Sequence, residues 1–82
     1  MTVTVYSARR DCLTSLEMLD YLDLIGVDYE HYVPFPELRA HMQWTQGYDA
    51  FPHVWIDEVF LGGADEFWQV IEWRAARLQQ YE

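Results

Sequence analysis

The chain opens on an alternation. Thr2-Val3-Thr4-Val5-Tyr6 sets β-branched and aromatic residues at a period of two, which predicts a strand. Ser7 to Asp11 is polar and predicts a loop. From Cys12 to Ile25 the apolar positions change to helical spacing: Met18, Tyr21, Leu22 and Ile25 stand at i, i+3, i+4 and i+7. Leu13, Leu16 and Leu19 widen that stripe, as expected of a helix lying on a sheet, and Gly26 marks its end. Val27 to Val33 alternates again, Tyr29 and His31 against Asp28 and Glu30, and predicts a second strand. Pro34-Phe35-Pro36 breaks it, and Pro36 suits the first turn of a helix that carries Leu38, Met42 and Trp44 inward and stops near Gly47. His53-Val54-Trp55-Ile56 and Val59-Phe60-Leu61 flank Asp57-Glu58, the pattern of a short hairpin. Beyond Gly62-Gly63, Asp65 reads as the N-cap of a third helix whose inner face is Phe67, Ile71, Arg74 or Ala75, and Leu78.

The order β-α-β-α-β-β-α, without repeats, low-complexity tracts or linkers, predicts one α/β domain over residues 1–82, a single mixed sheet flanked by helices. So short a chain buries only about 60–65% of its unfolded surface, so its core must be efficient. The aromatic content of 17% and the hydrophobic content of 51% serve that end. A single cysteine leaves no internal disulfide, so packing must hold the fold. Met1 to Tyr6 lacks a basic leader followed by an apolar run, and no stretch approaches the length of a membrane span. The expected setting is the reduced cytoplasm, and the expected state a monomer.

Charge narrows the classes of partner. Fourteen acids against five basic residues give a net charge of −9, and every basic residue is an arginine. Such a surface repels phosphate backbones and anionic lipids, so neither nucleic acid nor membrane is expected as a partner. Arg9 and Arg10 precede Cys12, Arg39 lies mid-chain, and Arg74 and Arg77 are expected to pair with acids on the last helix. His31, His41 and His53 show no paired ligand spacing, so no metal site is expected.

Cys12 stands where a loop meets a helix. The unpaired N–H groups and positive dipole end of a helix favour thiolate over thiol, and Arg9 or Arg10 adds to that effect. Asp11 opposes it, because an adjacent carboxylate disfavours a second negative charge.

Three segments around this cysteine resemble those of the glutaredoxins, a branch of the thioredoxin fold. Val5-Tyr6-Ser7, a basic loop and Cys12-Leu13-Thr14-Ser15 are similar to the family's strand, loop and active-site segment. Ala50-Phe51-Pro52 followed by His53 to Asp57 looks like its Thr-Val-Pro segment and the strand after it. Gly62-Gly63-Ala64-Asp65-Glu66 looks like its Gly-Gly-x-Asp-Asp/Glu turn. The three occur in family order and spacing over nearly the whole chain. The resemblance implies a thioredoxin-like fold with a four-stranded mixed sheet and three helices. It implies Cys12 as the nucleophile, Pro52 as a cis-proline facing it, and Phe51 as a backbone partner for glutathione. It further implies Gly63, Ala64 and Asp65 at the γ-glutamyl end of glutathione, and Arg39 with Arg9 or Arg10 at its carboxylates.

Ser15 stands where dithiol members carry a second cysteine, with Thr14 and Ser15 as auxiliary residues of the site. The resemblance therefore implies monothiol chemistry. Glutathione is the co-substrate, and oxidised or glutathionylated proteins are the partners. Two alternatives are a thioredoxin-fold binding module without redox chemistry and a glutathione-ligated [2Fe–2S] scaffold. Against the scaffold, Cys-Leu-Thr-Ser replaces the Cys-Gly-Phe-Ser signature of cluster-holding members. The loop before Cys12 is one residue longer than the family pattern, which leaves its place at the helix start to be established.

Overall fold

The computed structural model describes the backbone of residues 2–79 and side chains as far as residue 71. Seven elements follow in the expected order: β1 (Thr2–Tyr6), α1 (Leu13–Ile25), β2 (Asp28–Tyr32), α2 (Pro36–Gln46), β3 (His53–Ile56), β4 (Val59–Gly62) and α3 (Ala64–Gln79). Arg74, Ala75, Arg77 and Leu78, assigned above to the last helix, lie outside the described side chains.

The sheet has the order β2-β1-β3-β4. β2 pairs with β1 in parallel, Val5 opposite His31, the arrangement a helical crossover through α1 produces. β3 pairs antiparallel with both β1 and β4. The β3–β4 hairpin turns at Asp57 and Glu58, both with positive φ (48° and 70°), the left-handed backbone that tight hairpins require.

Alternation on the strands explains the core. Val3 and Val5 of β1 and Val54 of β3 point to one face and are fully buried. Met18, Leu19 and Leu22 of α1 and Phe67 and Ile71 of α3 close over them. Burial at roughly 25 cal/mol per Å² of apolar surface is what holds this layer together.

Two expected helix faces change. On α1 the inward row is Ser15, Met18, Leu19 and Leu22, itself an i, i+3, i+4, i+7 set, whereas Leu13, Leu16 and Ile25 are exposed. A surplus of leucines disguised the true face because one of its members is a serine. On α2 no residue is fully buried: Leu38 lies at the surface and Trp44 is 82% exposed. Leu38 instead rims a hollow with Tyr6, Tyr32 and Trp55, on the sheet face opposite the core valines. The second strand is also shorter than expected, without Val27 and Val33.

Candidate active site

Because β1, β2 and β4 run one way and β3 the other, the ends of the first three and the beginning of β3 share one edge of the sheet. The loop to Cys12, the segment ending in Pro52 and the Gly63–Ala64 entry to α3 all open from that edge. The three segments quoted for the resemblance thus converge there.

Cys12 is the N-cap of α1, with extended backbone (φ −65°, ψ 109°), and its carbonyl accepts the first helical bond from Leu16 N–H at 3.0 Å. The helix therefore starts at Leu13, one residue later than expected. The additional loop residue is absorbed by a turn that Cys12 N–H closes onto the Arg9 carbonyl at 3.4 Å. The sulfur is half-buried and forms no closed capping bond. Partial burial pushes its thiol up, but the Ser15 hydroxyl, the N–H groups of Ser15 and Thr14, and the charge of Arg9 together hold it below the ordinary thiol value. Asp11, expected to oppose the thiolate, instead lies in the solvent 4.0 Å from the Arg9 guanidinium.

Pro52 is buried and follows a cis peptide bond from Phe51. The Phe51 ring stacks on His53 at 4.3 Å and 16°. His53 is fully buried, with Nε2 3.0 Å from the Tyr48 carbonyl. Burial pushes its imidazole below the ordinary histidine value, against the opposing pull of the Tyr48 and Ala50 carbonyls. Tyr48 also presses on Gly63: a Cβ at that position would run into the Tyr48 hydroxyl. Glycine is required there by close approach.

The entry to α3 differs from expectation. The helix begins at Ala64, so Asp65 lies in its first turn and is exposed, and it is not the cap. Glu66 reaches back to accept the Gly63 N–H at 3.0 Å, the N3 half of a capping box, because glycine has no side chain to supply the other half. Among the described residues the Asp65 side chain has no hydrogen-bond partner.

No protein-family model matches the sequence, and no curated protein does. Solved structures do. A glutaredoxin from Brucella melitensis, determined in solution, superposes with a TM-score of 0.70 at 28% identity, covering 88% of this chain and 79% of the other. A wheat glutaredoxin crystal structure gives 0.77 at 17% identity over 85% and 70%. The fold is thioredoxin-like.

On this thioredoxin-like frame the arginines divide. Arg39, half-buried on α2, donates from Nη1 to the Ala8 carbonyl at 2.7 Å and so reaches the loop that leads to Cys12. Arg9 and Arg10 are exposed in that loop; Arg10 rims a hollow with Leu16, His31, Tyr32 and Val33. Thr14 is exposed and Ser15 fully buried. Among the described residues no three His, Cys, Asp or Glu side chains gather to hold a metal ion, and no helix is long and apolar enough to cross a membrane. Sequence reading overlooked Ser7, His31, Tyr48 and His53. Ser7 and His31 sit 24 positions apart, and only the parallel pairing of β1 with β2 joins them.

Proposed function

We propose that the protein is a glutathione-dependent thiol–disulfide oxidoreductase working through Cys12 alone. One observation carries the reading: the chain's single cysteine is the N-cap residue of α1, its thiol held below the ordinary value, at the end of the sheet where the Phe51-Pro52 segment and the start of α3 also open. Likeness to a glutaredoxin at 28% identity supports it.

In the proposed cycle the Cys12 thiolate attacks the glutathionyl sulfur of a mixed disulfide. An S–S bond forms to Cys12, and the substrate sulfur leaves as a thiolate that takes a proton from water. A second glutathione, as thiolate, then attacks the Cys12-bound sulfur and departs as glutathione disulfide, which restores the Cys12 thiolate. In sum one glutathione thiol is consumed: the mixed disulfide is exchanged for glutathione disulfide, and the substrate is released as a thiol. Ser15 cannot resolve the intermediate, so the outside thiol is obligatory. Phe51 presents its backbone beside Pro52 for strand-like pairing with glutathione. Gly63 and Ala64 offer helix N–H groups to its α-carboxylate, Asp65 takes its ammonium, and Arg39, Arg9 and Arg10 receive the other carboxylate. Oxidised or glutathionylated proteins are the substrates.

Incubation with glutathione disulfide, followed by intact-mass measurement, tests the reading. A single glutathionyl adduct that Cys12→Ser abolishes is expected. An unmodified wild-type protein under conditions that alkylate Cys12 would refute it.

A further inference from the structure

Val3, Val5 and Val54 turn one face of the sheet to the core, so Thr4, Tyr6 and Trp55 stand on the other face. Glu30 and Tyr32 of β2 lie in register beside them. In a sheet flanked by helices this second face would ordinarily be covered. Here α2 buries none of its residues fully, and of its side chains Leu38 alone borders the face. Tyr32 and Val33 remain 47% and 38% exposed. The result is an open hollow of about 560 Å³, the size of a ligand site, walled largely by apolar and aromatic groups.

Register gives the hollow its chemistry. Glu30, Thr4 and Trp55 form one row across three strands. Neighbouring strands lie about 4.8 Å apart, so a carboxylate and an indole flank the short Thr4 on backbones about 10 Å apart. Tyr6 and Tyr32 form the next row, their rings stacked at 5.5 Å and 26°. Glu58, in the turn between β3 and β4, lines the same hollow. Among the described residues no arginine lines it, and neither glutamate has a cationic partner. The Glu30 charge acts on Tyr32 instead and pushes its phenol above the ordinary value.

These features select an occupant by charge. Two copies meeting through this face would set acid against acid, in a chain of net charge −9. A wholly apolar segment would strip water from two carboxylates and return nothing. A cation answers both walls, because carboxylates neutralise it and aromatic rings attract it. Arginine suits them better than lysine: its planar guanidinium stacks on rings while its N–H groups pair with a carboxylate. We propose that this sheet face docks an arginine-bearing segment of a partner protein, one guanidinium lying over Thr4 between Glu30 and Trp55. Length favours a chain over a free amine. The hollow runs from Tyr6 and Tyr32 to the turn, where Asp57 N–H bonds the Thr2 carbonyl at 3.0 Å. From Tyr6 to Thr2 is about 13 Å, the span of four extended residues. The inference rests on the fold and not on the chemistry of Cys12.

The test is an NMR titration of the full chain with the peptide acetyl-Ala-Arg-Ala-Arg-Ala-amide at low ionic strength. Amide shifts should concentrate at Thr4, Tyr6, Glu30, Tyr32 and Trp55. The double variant Glu30→Gln/Glu58→Gln changes exposed side chains to isosteres and should weaken binding at least about tenfold. The same peptide with citrulline for arginine, equal in shape but uncharged, should not bind. Glu17→Gln/Asp20→Asn removes equal charge from exposed positions on α1, across the sheet, and should leave the affinity unchanged. Equal weakening by the two double variants would overturn the proposal, reducing the contact to diffuse attraction by an acidic protein. So would absence of binding, shifts centred elsewhere, or equal affinity for the citrulline peptide. Arginine amide alone should bind at least about tenfold more weakly than the peptide; equal affinity would replace the partner segment with a free small cation.

Discussion

Ser15 and Thr14, more than Arg9, hold the Cys12 thiol below its ordinary value. Ser15 supplies both a hydroxyl and an N–H, Thr14 another N–H, and Arg9 the smallest contribution, with burial working against all of them. A thiol held below its ordinary value is thiolate, and nucleophilic, above that value and loses reactivity as pH falls through it. Ser15→Ala should therefore move the alkylation profile of Cys12 to higher pH. Near neutrality the rate should fall about three- to tenfold, matching ~0.5–1.5 kcal/mol for one bond, with the alkaline plateau unchanged. Arg39→Ala should raise the KM for glutathione by about five- to thirtyfold, ~1–2 kcal/mol, with kcat nearly constant; an unchanged KM would remove Arg39 from the site. Cys12 was legible in the sequence because a lone cysteine between a polar loop and a helical stripe stands out. The partners of its neighbour were not. Ser7 reads as a loop residue and His31 as an ordinary member of an alternating strand, and only folding makes them adjacent.

Among the elements, the start of α3 shows how a local rule can pick the wrong residue. Asp65 satisfies the usual preference for an N-cap, yet the helix begins one residue earlier and Glu66 does the capping. Glu66→Ala should lower stability by about 0.5–2 kcal/mol in urea unfolding, whereas Asp65→Asn should change stability little and weaken glutathione binding. Gly63→Ala should cost about 1–3 kcal/mol, because Tyr48 must shift to admit the methyl group. The strand and helix order was readable from periodicity because each element keeps its own spacing over many residues. The faces of α1 and α2 were harder. Their apolar residues outnumber the places the core provides, so Leu13, Leu16, Leu38 and Trp44 remain at the surface.

At the scale of the molecule, one layer of side chains between the sheet and the pair α1 and α3 holds the site in place. Phe67, fully buried against the core valines, carries much of it, and Phe67→Ala should destabilise the protein by about 3–5 kcal/mol. The same sheet brings the Cys12 loop, Pro52 and the α3 start to one end, so three short motifs far apart in sequence stand together. On the proposed function the second sulfur comes from glutathione, and this convergence is where glutathione would dock. Steady-state reduction of a glutathionylated peptide by glutathione measures this directly. The wild-type protein should turn over with saturation in glutathione, and Cys12→Ser should reduce the rate to background. Equal rates for the two proteins would contradict the account.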